Sequence, residues 1–110
     1  MKITETRIRK LHGVMEHEDP FWEERLVRPI DIYPEHRDRN NDMDRISDGR
    51  YSMTSIFLEI ATDDGITGLS GPFSLLEAFI IQTQLSPILV GQDPLAIEKL
   101  WDQMYRHSIH

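Results

Sequence analysis

Ser52-Met53-Thr54-Ser55-Ile56-Phe57-Leu58-Glu59-Ile60-Ala61-Thr62-Asp63-Asp64-Gly65-Ile66-Thr67-Gly68-Leu69-Ser70 is the stretch whose reading decides the fold. Ile56, Leu58 and Ile60 alternate with Ser55, Phe57, Glu59 and Ala61, the period of two expected of a strand with one buried face. Asp64-Gly65 then supplies a strong hairpin signal, because Gly adopts positive φ freely and Asp tolerates it. Ile66-Thr67-Gly68-Leu69 returns as the partner strand. A hairpin with one apolar face needs a cover, and the sequence on its C-terminal side turns helical.

Gly71-Pro72 punctuates, and Ser74-Leu75-Leu76-Glu77 forms a capping box in which Ser74 and Glu77 satisfy each other's backbone N–H groups. The helix is expected from about Leu75 to Leu85. Leu75, Leu76, Ala78, Phe79, Ile80 and Ile81 make it apolar around most of its circumference, which predicts burial on more than one side. Ser86-Pro87 ends it or opens a further turn through Ile88, Leu89 and Val90. Gly91-Gln92-Asp93-Pro94 reads as a second helix start, with Asp93 as N-cap and Pro94 at the first helical position. Ile97, Leu100, Trp101, Met104 and Tyr105 follow at amphipathic spacing and are expected in the core. The two helices are expected to pair and cover one sheet face. The chain reaches His110 while still helical in character, which suggests that it continues in a longer protein.

On the N-terminal side, Ile3, Ile8 and Leu11 among Thr and charged residues predict a strand over 2–11, ended by His12-Gly13. From Gly13 to Arg50 the pattern breaks down. Pro20, Pro29 and Pro34 interrupt any long helix. The aromatics Phe21, Trp22 and Tyr33 argue against plain disorder. A pair of linked loops that order against something else is expected, with a short helical turn around Trp22 to Leu26. The order of strand, long loop, two strands and helices defines an α+β domain over 1–110: a three-stranded antiparallel meander sheet followed by a small helical bundle.

Composition narrows the function classes. A formal net charge of −7 over 110 residues argues against nucleic acid as a partner. The absence of cysteine excludes disulfides and thiolate metal sites. No apolar run approaches the roughly 20 residues that span a bilayer. Met1-Lys2-Ile3 runs into Thr4-Glu5-Thr6-Arg7 without an apolar leader, so a cytoplasmic location is expected. Basic residues between Glu16 and Arg50 are all arginine: Arg25, Arg28, Arg37, Arg39, Arg45 and Arg50. Arginine suits planar recognition of carboxylate or phosphate. The plainer reading pairs these arginines with the acidic residues of the same segment.

No self-contained catalytic motif stands out. His17-Glu18 lacks the second His of a helical zinc motif. Asp42-Met43-Asp44 lacks the Gly and terminal Glu of a calcium loop. Gly68-Leu69-Ser70-Gly71 is not a nucleophile elbow, and no glycine-rich phosphate loop occurs. What remains is the Arg- and aromatic-bearing loop, on which Trp22, Arg28, Tyr33 and Tyr51 are binding candidates by chemistry and position.

The hairpin Ile56 to Gly68, followed by Gly91-Gln92-Asp93-Pro94 and Ile97-Glu98-Lys99-Leu100-Trp101-Asp102-Gln103-Met104-Tyr105, resembles the N-terminal capping domain of the enolase superfamily. It is most similar to the mandelate racemase and muconate lactonizing branch. Leu100 to Tyr105 and the Arg-rich loop look most like rhamnonate dehydratase and related acid-sugar dehydratases. The resemblance implies a capping domain that closes over a C-terminal (β/α) barrel and helps recognise the substrate. It implies Mg²⁺ and the acid/base residues in that barrel, so neither a metal site nor a catalytic residue is expected in this chain. The implied reaction is Mg²⁺-assisted proton abstraction next to a substrate carboxylate, with loss of water. Rhamnonate dehydratases use a His and an Arg from the capping loops; Arg45 falls at the Arg position and His17 lies nearest the His position. The implied partners are the barrel domain of the same protein, an acid-sugar substrate and further copies in a homo-oligomer. A racemase, epimerase or cycloisomerase of the same superfamily is the alternative within the enzyme class. Outside it stand a free-standing small-anion-binding module and a dimerisation domain.

Overall fold

The computed structural model describes residues 1–18, 29–39 and 44–109. The chain divides into two compact units, Met1–Leu11 with Ser55–His110, and His12–Thr54. Two strands, β1 (Ile3–Glu16) and β3 (Arg50–Thr62), pass through both.

In the first unit β3 pairs with β1 on one side and with β4 (Thr67–Phe73) on the other. β3 and β4 are antiparallel, with Leu58 opposite Ser70 and Ile60 opposite Gly68. β1 also runs antiparallel to β3: Asp63 N–H donates to the Lys2 carbonyl at 3.0 Å, and the Thr4 hydroxyl to the Ala61 carbonyl at 3.3 Å. The expected antiparallel arrangement is therefore present, but among the described residues the sheet has four strands rather than three, because Asp44–Ser47 also pairs with β3. The β3–β4 turn is closed by Thr62 N–H donating to the Ile66 carbonyl at 3.0 Å. Gly65 takes φ 76°, while Asp64 keeps a negative φ, so one left-handed glycine suffices to reverse the chain. Ile56 and Leu58 are buried as the alternation requires. Glu59 faces the other way and meets the guanidinium groups of Arg9 at 3.0 Å and Arg7 at 3.2 Å. Arg9 holds the Glu59 carboxyl below the usual carboxylate range, and Arg7 does the same for Glu5.

The capping box forms: Glu77 N–H donates to Ser74 Oγ at 3.2 Å, and Ser74 N–H to Glu77 Oε2 at 3.1 Å. It opens α1 (Leu75–Ile80), which is shorter than the expected helix. Over Ile81–Leu85 the coil widens to a π turn, with Ser86 N–H reaching the Ile81 carbonyl. Pro87 explains this. It has no N–H for the Thr83 carbonyl, and its ring crowds that position. The chain then tightens again into α2 (Ser86–Leu89).

The second helix start differs from its sequence reading. The Asp93 carboxylate accepts from Leu95 N–H at 2.9 Å, and its carbonyl from Ala96 N–H at 3.1 Å. Asp93-Pro94 therefore makes a turn of its own, and α3 (Ile97–His107) starts only afterwards with Ala96 as its N-cap. A short Asp side chain bonds the N–H two residues on as readily as it caps a helix.

Ile3, Leu89 and Leu100 form the buried core, with Ile60 and Met104 packed on it. β1, β3, α2 and α3 thus meet on one side of the sheet. Ile3 N–H donates to the Gln92 carbonyl, and Gly91 N–H to the Ile3 carbonyl, both at 2.8 Å, which ties β1 to the segment after α2. Two expectations of burial are corrected. Trp101 is 60% and Tyr105 54% exposed, so the aromatic side of α3 is not core here. On α1, Leu75, Leu76 and Phe79 are exposed while Ala78 is buried. Among the described residues nothing covers these faces.

The second unit corrects the reading of 13–50 as mostly irregular. β1 runs on past Leu11 to Glu16. β2 (Asp44–Ser47) forms a hairpin with β3, pairing Arg45 with Tyr51 and Ser47 with Arg50. Its turn is Asp48-Gly49, with Gly49 at φ 73°. The first Asp-Gly pair of the sequence is thus a hairpin turn like the second. Pro29 and Pro34 do not merely break helices; each opens a short 3-10 helix, Pro29–Ile32 and Pro34–Arg39, where a missing N–H costs nothing. The helical turn expected around Trp22 to Leu26 lies outside the described residues.

Candidate functional site

The second unit carries an open hollow of about 530 Å³. Among the described residues it is lined by Glu16, His17, Glu18, Asp48, Gly49 and Arg50. Two local structures build it. β1 delivers Glu16 to Glu18 at its C-terminal end, and the β2–β3 turn delivers Asp48 to Arg50. His17 N–H donates to the Gly49 carbonyl at 2.8 Å and fixes one wall against the other. Gly49 is required twice over. Its φ is left-handed, and an added Cβ would sit 3.0 Å from the His17 carbonyl oxygen.

Arg45 stands beside this hollow. Its guanidinium donates to Asp48 Oδ1 at 3.1 Å, and its side chain is 54% exposed. The pairing between β2 and β3 slips by one residue between Arg45 and Ser47. A bulge of this kind bends the strand and re-aims the side chains around it. It leaves Ile46 as the extra residue and brings Arg45 and Asp48 within one ion pair of each other. An exposed pair of this type is weak, so the guanidinium can exchange Asp48 for another acceptor at small cost.

The remaining candidates are dispersed. Tyr51 lies directly across from Arg45 in the hairpin but is buried, at 1% exposure. Tyr33 is exposed and meets the His36 ring edge-on, with centroids 6.4 Å apart. Trp22 and Arg28 lie outside the described residues. The structure therefore brings His17 and, through Asp48, Arg45 together, and sets Tyr51 in the interior of the same unit. Glu16, Glu18, Asp48 and Arg50 were missed as site residues. The signal that could have found Asp48 and Arg50 was Asp48-Gly49 itself, a turn dipeptide between β-compatible runs.

The hollow has the chemistry of a hydroxyl-binding surface. Three carboxylates accept hydrogen bonds, while Arg50 donates them and the His17 ring can do either. With carboxylates outnumbering the guanidinium, a second anion is disfavoured unless Arg45 leaves Asp48 to meet it. Among the described residues no three His, Asp or Glu side chains come together as a metal site would need.

A sheet with one covered side, a short helical layer and a second unit built on a hairpin and two 3-10 helices define an α+β domain. Residues 40–110 match the family model described as mandelate racemase / muconate lactonizing enzyme, N-terminal domain, and the chain belongs to that family. Among curated relatives, a protein of Caldivirga maquilingensis provisionally named L-rhamnonate dehydratase is 34% identical over 88 residues, covering 77% of this chain and 20% of that protein. A D-galactonate dehydratase of Ralstonia pickettii is 37% identical over 69 residues, covering 60% of this chain and 18% of that protein. The chain thus spans about a fifth of the length of the curated relatives it matches. A crystal structure of a mandelate racemase/muconate lactonizing enzyme from a marine actinobacterium superposes with a TM-score of 0.51 at 22% identity, over 96% of this chain and 22% of the other. That likeness establishes the fold. Among the described residues no helix is long and apolar enough to cross a membrane.

Proposed function

We propose that this chain is the capping domain of an acid-sugar dehydratase, and that its second unit recognises the hydroxyl-bearing end of the substrate. The observation that carries this reading is the hollow lined by His17 and Asp48, the residue to which Arg45 is paired. Family membership and the dehydratase names of the relatives support the substrate class. The excess of carboxylates over guanidinium groups supports hydroxyls, rather than the substrate carboxylate, as what this surface binds.

In this reading Glu16, Glu18 and Asp48 accept from sugar hydroxyls, Arg50 donates, and His17 sets the orientation. Arg45 releases Asp48 and bonds a substrate oxygen. Tyr51, buried across from Arg45, acts by holding the hairpin that carries it. Trp22, Arg28 and Tyr33 are further contacts of the same loops. The proton abstraction and loss of water belong to a C-terminal barrel outside these residues, which is also where Mg²⁺ binds. The parent is a cytoplasmic homo-oligomer.

The test is a dehydration screen of the full-length protein against a library of acid sugars, read by formation of 2-keto-3-deoxy products. Turnover of one or a few stereoisomers is the expected result. Turnover of none, with racemisation or cycloisomerisation of another acid instead, would sink the dehydratase reading.

A further inference from the structure

The sequence holds two Asp-Gly pairs, Asp48-Gly49 and Asp64-Gly65, and both are hairpin turns with a left-handed glycine. Such a pair carries its own chemistry. The glycine nitrogen can attack the aspartyl Cγ, since no side chain on the glycine shields it. A Cγ–N bond forms, the amide proton and the carboxyl hydroxyl leave as water, and a five-membered succinimide results. Water then adds back to either carbonyl. Addition at Cγ restores aspartate. Addition at the backbone carbonyl breaks the old peptide bond and leaves isoaspartate, with the chain rerouted through the side chain. Nothing is oxidised or reduced, and the water lost is regained.

The two turns differ in what holds the attacking nitrogen. Gly65 N–H donates to the Thr62 carbonyl at 3.3 Å, a bond that must break before the nitrogen can react. Thr62 is itself bonded twice to the Ile66 carbonyl, by its N–H at 3.0 Å and its hydroxyl at 2.8 Å. Asp63 accepts from Lys2 N–H at 2.8 Å and ties the turn to β1. Gly49 N–H, by contrast, makes no hydrogen bond among the described residues. The Asp48 side chain is fully exposed, and its partner is Arg45, in a weak surface pair. β2 is four residues long and slips in register, so this turn opens more readily than one between long, regular strands.

We propose that Asp48 is a site of spontaneous covalent modification, passing through a succinimide to isoaspartate and so opening the hollow as the protein ages. Isoaspartate at 48 lengthens the backbone by one carbon. That carries Gly49 away from the His17 N–H, which its carbonyl accepts at 2.8 Å. It also moves the carboxylate that Arg45 meets from the side chain to Cα. Asp64 has the same reactive pair in a turn whose amide is held, and serves as an internal control. This chemistry depends on the turn alone and not on acid-sugar dehydration.

The test is incubation of the full-length protein in weakly acidic buffer, followed by peptide mapping with electron-transfer fragmentation, which distinguishes isoaspartate from aspartate. Isoaspartate is expected to accumulate several-fold faster at Asp48 than at Asp64 in the folded protein. In concentrated urea the two rates are expected to converge, because only the fold separates the sites. Asp48→Glu is expected to abolish the signal at 48, since a six-membered imide forms far more slowly. Amide exchange at His17 is expected to quicken in the isoaspartate fraction. Equal accumulation at the two sites in the folded protein, or more at Asp64, overturns the proposal. A preference for Asp48 that persists in urea assigns it to neighbouring residues rather than to the turn and also overturns it. Unchanged exchange at His17 overturns the opening of the hollow.

Discussion

The backbone N–H of His17 donates to the carbonyl of Gly49 at 2.8 Å, and that bond joins the end of β1 to the β2–β3 turn. It is possible only because Gly49 is left-handed and has no Cβ to meet the His17 carbonyl. Gly49→Ala is therefore expected to destabilise the second unit by about 1–2 kcal/mol, the cost of a left-handed L-residue. Chemical denaturation measures it. Gly13→Ala is the control, since nothing lies within 4 Å of a Cβ there. Equal effects of the two would remove the special role of the His17–Gly49 bond.

Arg45→Ala in the full-length enzyme is expected to lower kcat/KM for acid sugars by about tenfold or more, the scale of a lost charged hydrogen bond. Asp48→Asn tests the exchange of partners. Because it weakens the 3.1 Å ion pair that competes with substrate while its amide oxygen still accepts from a hydroxyl, it is expected to lower KM; a raised KM would mean that the Asp48 charge itself is the main contact. Steady-state kinetics of both variants against wild type decide whether Arg45 binds substrate or only pairs within the turn.

Acid should weaken the first unit through Glu59 and Glu5. Both carboxyls are held below their ordinary range by arginines, Glu59 chiefly by Arg9 and Glu5 chiefly by Arg7. A carboxylate whose folded pKa lies below its unfolded value stabilises the fold above the unfolded value. That contribution fades as pH falls through the lowered folded value. Thermal melting followed from neutral pH to below the usual carboxylate range should therefore show a falling Tm. Glu59→Gln should flatten part of that fall, and added salt should shrink it, because these groups are solvent-accessible. A Tm slope unchanged in Glu59→Gln would show that the arginine contacts of Glu59 contribute nothing.

The α1 capping box gives a local test. Ser74→Ala removes the acceptor of the Glu77 N–H bond and is expected to cost about 1 kcal/mol. Glu77→Ala removes the reciprocal bond to the Ser74 N–H. Because the two bonds hold the same turn, the double variant is expected to lose less than the sum of the singles. Strict additivity in denaturation midpoints would mean that the two bonds act separately.

Much of this was legible in the residues because it is local. Alternation at Ile56, Leu58 and Ile60, the glycine at position 65 and the Ser74–Glu77 box depend on neighbours within a few positions. Each formed as its chemistry requires. The Asp93-Pro94 turn was misread because two local solutions, a cap and a side-chain turn, use the same residues. The π turn was not read although its cause, Pro87, is local; the bulge after Arg45 was not legible, since it arises where a local pattern meets its partner strand.

The sequence by itself determined the α+β class, the hairpin and the helix that carries Leu100. Those follow from periodicity and from the φ each residue accepts. Only the tertiary structure decided that His17 meets Gly49 across 32 positions of chain, that Arg45 reaches Asp48 over a bulge, and that Trp101 and Tyr105 face outward. Register, bulges and the choice of which apolar side is covered depend on what packs against each element. No property of the element's own residues encodes that.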